Sequence, residues 1–367
     1  MEVTELVSSI GYEIEDAEEE AFLLFSQDIP SSNLGFINSR SNKIDVTVRG
    51  RDYTIYQSPT VLNSKRQGGT TGAVLWKITP LLAEWICSKD NVLWNSPFLS
   101  ANSTVIELGC GVSGLMALSM APLVNHYIAT DQEYVQRIFK ENLEANFRPV
   151  SLPGRTQSDS HQSANSNQRH RSRKSGAPTH SPASATRHSR PRDRVESNGI
   201  SIYNAGDITF IPLDWETDNP AMLKRAIPIH SSRAGSSRRS PSSARNSRDA
   251  DVEDLGFDLL LACDCIYNES LIKPFVRTCA DICRLRPAYS YEPDQRSADA
   301  HGRENTGVRR PTLCIIAQQL RSHEVFEEWV REALINFRVW RLKDEVLGKD
   351  LGAGSGYAVH MLLLGNK

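Results

Sequence analysis

The sequence predicts an α/β protein whose core is a mainly parallel sheet covered by helices on both faces. Short runs of β-branched and apolar residues recur along the chain, and most lead into a stretch with apolar residues at helical spacing. Several of these runs are apolar throughout, the pattern of strands buried on both faces. The last two runs, 337–342 and 357–364, are joined only by a loop carrying Gly352, Gly354 and Gly356, so the final strand is predicted antiparallel.

Residues 1–70 read as an N-terminal extension to a core domain at 71–367. Within the extension, Arg49-Gly50-Arg51-Asp52 separates two alternating runs, 44–48 and 53–56, which predicts a β-hairpin. The loop Gly68-Gly69-Thr70-Thr71-Gly72 leads into a helix with Leu75, Ile78, Leu81, Leu82 and Trp85 on one face, its start restricted by Pro80. A second helix-like stretch is expected to end near Phe98. The first core strand is 104–108, Thr-Val-Ile-Glu-Leu. Gly109, Gly111 and Gly114 follow at the spacing G-x-G-x-x-G, before a helix over 115–121. Strand, glycine turn and helix form a cradle for a charged group, since glycine admits close backbone approach and the helix start offers free N–H groups.

A second strand, 126–130, ends at Asp131, twenty positions beyond Gly111, where a carboxylate can accept hydrogen bonds from two ribose hydroxyls. A helix over 132–147 follows. The third strand, within 208–216, is predicted to end in the pair Asp214-Trp215. The fourth, 257–263, runs into Asp264-Cys265-Ile266-Tyr267, with a helix beginning near Asn268. A fifth strand, 311–318, and a helix over 323–335 complete the alternation.

Stretches 151–198 and 228–250 are rich in Ser, Arg, His, Asn and Pro with almost no apolar residues to offset the entropy of ordering, so both are predicted to be long disordered insertions; 287–310 reads as a shorter polar loop. They lower the hydrophobic fraction to 39% and the mean hydropathy to −0.40. The first insertion holds nine Lys/Arg against three Asp/Glu and the second five against one, so with the chain at −2 the rest carries about −12. An acidic body suits a basic protein partner. The insertions leave room for contact with nucleic acid, or for a nuclear signal at 169–174, without requiring either. The acidic start (Glu2, Glu5, Glu13) and the lack of a span-length apolar run predict neither secretory leader nor membrane segment; a monomer in the cytoplasm, with the nucleus a second location, is the expectation. The seven cysteines lie mostly inside apolar patterns and read as buried reduced thiols, with no metal site.

In an open parallel sheet, ligands gather at the carboxyl ends of the strands, near the point where strand order reverses. Glu107 with its glycines, Asp131, Asp214-Trp215 and the segment from Asp264 to Tyr267 all sit at such ends and are predicted to converge on one cleft. A cradle for a charged tail, a carboxylate for a ribose and a tryptophan beside a base suit an adenine nucleoside. E-L-G-C-G at 107–111, T-D at 130–131, L-D-W at 213–215, D-C-I-Y at 264–267 and T-G-A-V-L-W at 71–76 together resemble the seven-strand S-adenosylmethionine-dependent methyltransferases, a Rossmann-like class I fold, and within them the protein-lysine branch. The Gly-Gly-Thr-Thr-Gly lead-in is most similar to the fungal ribosomal lysine N-methyltransferase 5 group. The resemblance covers about 44–150, 199–227, 255–285 and 311–367.

This resemblance implies S-adenosyl-L-methionine as cofactor, lined by Trp76, Glu107, Gly109, Cys110, Gly111, Asp131, Trp215 and Cys263, the last standing where relatives often carry alanine. It implies Asp264 and Tyr267 as the residues facing the incoming lysine of a protein substrate, a basic ribosomal protein. Transfer from a sulfonium is an in-line displacement that mainly needs alignment and a neutral amine. A carboxylate at Asp264 favours the charged amine, so its expected role is orientation, not strong base catalysis. Three other readings use the same glycines. A nicotinamide-dependent dehydrogenase needs a proton donor near the ring, and most histidines here lie in the insertions. A nucleic-acid base methyltransferase acting on exocyclic amines commonly shows Asn/Asp-Pro-Pro-aromatic after the fourth strand, and Asp264-Cys265-Ile266-Tyr267 lacks both prolines. A non-catalytic S-adenosylmethionine-binding protein is the third.

Overall fold

The computed structural model describes residues 3–30, 35–66, 69–96, 98–147, 192–195, 201–227, 256–286 and 310–365. The stretches 151–198, 228–250 and 287–310 therefore lie almost wholly outside the described residues. Helix α1 (Val3–Ile10) leads into strand β1 (Gly11–Ile14), and α2 (Ala17–Phe25) is capped by Asp16, whose carboxylate accepts from Glu19 N. The hairpin β2 (Lys43–Val48) and β3 (Arg51–Tyr56) forms a two-stranded sheet of its own. Arg49 and Gly50, at φ 52 and 71, make its two-residue turn.

After α3 (Pro59–Leu62) and a 3-10 turn at Thr71–Ala73 comes α4 (Ile78–Ile86). Pro80 falls in its first turn, where a missing N–H costs nothing. The expected helix ending near Phe98 is absent among the described residues, which instead form turns. There the Asn91 side chain bonds Trp85 O and Leu93 N, and Trp94 Nε1 donates to Ile86 O, so local side chains take the bonds a helix would need.

The core follows in the expected alternation: β4 (Thr104–Leu108), α5 (Leu115–Met120), β5 (His126–Asp131), and α6 (Gln136–Asn146) after a 3-10 turn at Glu133–Val135. Then come β6 (Arg192–Val195), β7 (Ser201–Ala205), β8 (Ile208–Pro212), β9 (Leu259–Cys263) and α7 (Glu269–Cys283). The chain closes with β10 (Leu313–Gln319), α8 (His323–Asn336), β11 (Phe337–Leu342), α9 (Asp344–Leu347) and β12 (Tyr357–Leu364).

Among the described residues, every strand outside the hairpin joins one ten-stranded sheet in the order β1-β11-β12-β10-β9-β4-β5-β8-β7-β6. Strands β10, β9, β4, β5 and β8 are parallel, whereas β12 runs antiparallel to both β10 and β11. The seven strands from β11 to β8 are the Rossmann-like class I methyltransferase arrangement. Two edges depart from expectation. The N-terminal region is no mere addition, because β1 pairs antiparallel with β11 and Arg338 clamps Glu13 at 2.7 and 2.8 Å. At the other edge β6 pairs with β7, so 192–195, inside a stretch expected to be disordered, is a strand. Backbone pairing to β7 makes a strand there of a sequence with no strand pattern of its own.

Alternation along the strands divides the core in two. Val105, Tyr127, Leu259 and Ile315 face α1, α4, α5, α6 and the hairpin, while Ile106, Ile128, Leu260 and Ile316 face α2, α7 and α8. Glu20 of α2 reaches into the sheet edge, with Arg341 at 2.9 Å and His360 at 3.2 Å. Burial pushes its carboxyl up, but these two contacts outweigh that and leave it lowered.

The hairpin is held by two asparagines one turn apart on α6. Asn142 Oδ1 accepts from Tyr56 N at 2.6 Å, and its Nδ2 donates to Tyr56 O and Val112 O. Asn146 pairs likewise with Thr54 N and O. The two amides thus stand in for a strand on the outer edge of β3. Asn142→Ala is expected to lower stability by about 2–4 kcal/mol, because it leaves buried backbone groups unpaired. Urea denaturation checks this; a loss under about 1 kcal/mol would contradict the pairing.

Candidate active site

Strand order reverses between β4 and β9: β5 and β8 lie on one side, β10 on the other. Connections leave β4 and β9 in opposite directions, so a crevice opens at their carboxyl ends. A cavity of about 350 Å³ occupies it. It is lined by Glu107 near the end of β4 with Gly109, Cys110 and Gly111 after it, Asp131 at the end of β5, Trp215 after β8, Cys263 at the end of β9 with Asp264 and Tyr267 after it, and Trp76 from the segment before α4. The ten residues expected to hold the cofactor or face the lysine are therefore brought to one place, while Gly114 turns away toward Phe139 and Leu143.

Gly109 and Gly111 both take left-handed backbone, at φ 67 and 61. A Cβ on Gly109 would lie 2.6 Å from Cys265 Sγ, and one on Gly111 3.2 Å from Gly72 O. Glycine is thus required by close approach as well as by conformation. The strap from Thr70 to Trp76 is pinned to the same turn, with Val112 N donating to Gly72 O at 2.7 Å. Trp76 Nε1 donates to Thr71 O at 3.0 Å, and its ring stacks on Phe36 at 4.6 Å. Thr71 Oγ1 donates to Tyr267 Oη at 2.9 Å, joining the strap to the corner after β9 across the cavity mouth.

Trp215 is half-buried and packs on Phe275 at 5.0 Å. It sits in a turn, not on the strand, because Asp214 Oδ1 accepts from Glu216 N. Cys265 Sγ donates to Leu108 O at 3.3 Å, and Cys263 lies 3.7 Å from Thr79 Oγ1. All seven cysteines are free and buried, and burial pushes the Cys110, Cys263 and Cys265 thiols up. Among the described residues no group of His, Cys, Asp and Glu is placed to hold a metal ion.

The acids of the cavity differ. Glu107 is buried, with Tyr127 Oη donating at 2.8 Å, and burial lifts its carboxyl to about 8. Asp131 is partly open to the cavity; burial raises it to about 6, restrained by bonds from Gly111 N and Gln132 N. Asp264 is different again. It adopts left-handed backbone at φ 59, and its N donates to Ala317 O at 2.7 Å. Its two oxygens are taken by Arg321 at 2.6 Å each, and Gln319 N donates to Oδ1 at 3.2 Å. The carboxylate expected to face the acceptor thus lines the cavity while paired with a guanidinium. Sequence reading missed Arg321, which no motif or spacing ties to Asp264. It also missed Tyr134, a further lining residue beneath Arg66 at 4.0 Å.

Residues 57–157 match the model of a family described as lysine methyltransferase, a segment that contains Trp76, the glycine turn and Asp131. The chain is 30% identical over 134 residues to a Schizosaccharomyces pombe protein named diaminohydroxyphosphoribosylamino-pyrimidine deaminase. That match covers 36% of this chain but only 32% of the relative, so most of the S. pombe protein lies outside it. The chain is 26% identical over 300 residues to ribosomal lysine N-methyltransferase 5 of Zygosaccharomyces rouxii, covering 78% of this chain and 72% of that one. Among solved structures, a Streptococcus mutans chain described as a SAM-dependent methyltransferase superposes with a TM-score of 0.38 at 7% identity, covering 88% of this chain and 56% of that one. So loose a superposition adds nothing to the strand order.

Glu107 makes ligand-free stability depend on pH. Its carboxyl is raised from 4.5 to about 8, so the folded chain keeps a proton that the unfolded chain has lost throughout that window. Stability is then full at the acid end and falls as pH rises toward 8, with Asp131 adding to the fall up to about 6. Glu107→Gln is expected to flatten a slope that approaches about 1.4 kcal/mol per pH unit. Melting curves of both proteins between about pH 5 and 8 check this; parallel slopes would contradict it.

Proposed function

We propose that this chain is an S-adenosylmethionine-dependent lysine methyltransferase and that it modifies a lysine of a ribosomal protein. One observation carries the reading: the glycine turn, the ribose-type carboxylate Asp131 and the Asp264–Tyr267 corner share one crevice, in a chain whose 57–157 segment matches lysine methyltransferases. The ribosomal target draws support from the names of relatives such as the Z. rouxii protein. The charge left outside the basic stretches, about −12, suits a basic acceptor protein.

The cavity fits the cofactor. Its volume lies in the range of small-molecule sites, and the close approaches at Gly109 and Gly111 leave backbone, not side chains, facing it. S-adenosylmethionine supplies an activated methyl group on a sulfonium. Asp131 keeps lone pairs beyond those used by Gly111 N and Gln132 N, so it can accept from ribose hydroxyls. Trp215, backed by Phe275, offers a flat apolar wall for a base. Cys110 and Cys263 fill space as small neutral groups. Glu107 is neutral at pH 7, so it contributes shape and a hydrogen-bond donor, not charge. At the mouth, Tyr267 is 38% exposed and presents an aromatic face along which a lysine stem can lie. Partial removal of that lysine from water favours the neutral amine. The protein acts as a monomer in the cytoplasm on this reading, with nucleic acid no necessary partner.

The test is transfer. The full chain is incubated with methyl-labelled S-adenosylmethionine and large ribosomal subunits, with and without ribonuclease, and labelled bands are digested to locate the modified residue. Label on lysine in a protein band is expected. Ribonuclease-sensitive label, or retained cofactor binding with no label, would overturn the reading. In the same system Asp131→Ala is expected to weaken S-adenosylmethionine binding by about tenfold or more, the effect of losing charge-assisted hydrogen bonds. Calorimetry reads this, and unchanged affinity would remove Asp131 from the site.

A further inference from the structure

We propose that Arg321 is a positioning residue for the acceptor side of the reaction, acting through Asp264 and Trp76; the proposal rests on the methyl-transfer reading above. The Arg321 guanidinium meets Asp264 as a fork, Nη1 to Oδ1 and Nη2 to Oδ2, both at 2.6 Å. Nη2 also donates to Gln319 Oε1 at 2.9 Å, and the guanidinium carbon lies 5.1 Å from the centre of the Trp76 ring. Planar bidentate contact fixes orientation as well as distance, which a lysine in its place would not do. The pair is well shielded, with side-chain exposures of 21% for Arg321 and 2% for Asp264.

This geometry has four consequences. An incoming ammonium meets at Asp264 a carboxylate that is 2% exposed and already paired with a guanidinium through two charge-assisted bonds, so Asp264 does not orient the acceptor directly. The pair instead holds the corner after β9. Asp264 takes a left-handed backbone that non-glycine residues seldom adopt, and Arg321 with Ala317 O over-determines it. Three residues on, the corner delivers Tyr267 to the mouth. On the opposite wall Arg321 underlies Trp76, which bonds the strap at Thr71. Arg321 therefore sets the spacing of the two walls between which a lysine enters. It also neutralises a carboxylate at the corner that would otherwise favour an ammonium over the nucleophilic amine.

The test compares wild type, Arg321→Ala, Arg321→Lys, Asp264→Asn and the Arg321→Ala/Asp264→Asn double variant for three readouts. These are S-adenosylhomocysteine binding by calorimetry, methyl transfer to large-subunit ribosomal proteins, and acrylamide quenching of tryptophan fluorescence. For Arg321→Ala, kcat/KM for the protein acceptor is expected to fall by about tenfold or more while S-adenosylhomocysteine affinity changes by less than about threefold. Arg321→Lys should recover part of the loss, and the double variant should lose no more than the worse single one, as residues acting as a unit do. Wild-type transfer by Arg321→Ala, strictly additive losses, or equal losses of binding and transfer would overturn the proposal. Should Arg321→Ala not fold, Arg321→Gln takes its place in the cycle. Should wild type bind S-adenosylhomocysteine yet label no ribosomal protein, the substrate reading alone fails, and the pair is judged on Trp76. Its quenching, taken as the difference from a Trp76→Phe background, must rise in the Arg321 variant, and no rise overturns the proposal.

Discussion

The constraint on which the rest of this molecule depends is the reversal of strand order between β4 and β9. Two neighbouring parallel strands whose chains leave in opposite directions cannot have their carboxyl ends covered by the same crossover, so a crevice is unavoidable there. Everything chemically distinctive lies around it. Glycines end β4 because Cys265, Gly72 and Trp215 approach its turn too closely for a side chain. Asp131, Trp215 and the Asp264–Tyr267 corner arrive from the ends of β5, β8 and β9, far apart in sequence and adjacent only through the sheet.

The region before the first core strand is structural rather than appended. Helix α1 contributes to one core and α2 to the other, with β1 between them completing a sheet edge. The hairpin is bound to α6 through asparagine amides, and Asn142 continues that link to Val112 O, next to the glycine turn. The strap at Gly72 bonds the same turn from the other side. Stability of the N-terminal region and geometry of the cavity therefore share a few hydrogen bonds.

Environment separates three of the carboxyl groups that line the cavity, Glu107, Asp131 and Asp264. Glu107 has no cation beside it and keeps its proton at neutral pH. Asp131 receives two backbone N–H bonds, which hold its rise to about 6. Asp264 faces a guanidinium fork. Three acids within one cavity thus differ in what each can offer a ligand: a donor, an acceptor and a brace.

Local composition was enough for much of this. The core strands and their following helices were legible because burial on both faces demands uninterrupted apolar runs, and helix faces demand their own spacing. The glycine spacing and the acidic or aromatic residues at strand ends placed the cavity lining for the same reason, since each lies within a few residues of its strand. Legibility stopped where the outcome depended on a partner elsewhere in the chain. Residues 11–14 and 192–195 carry no strand signal of their own and become strands by pairing with β11 and β7. The segment before Phe98 had helical spacing, but Asn91 and Trp94 redirect its bonds. Asp264 was found as a site residue while its partner was not, because a periodic pattern records whether a side chain is buried, not what it meets. That the two lie 57 positions apart yet 2.6 Å from each other follows from β9 and β10 running side by side, which only the folded sheet decides.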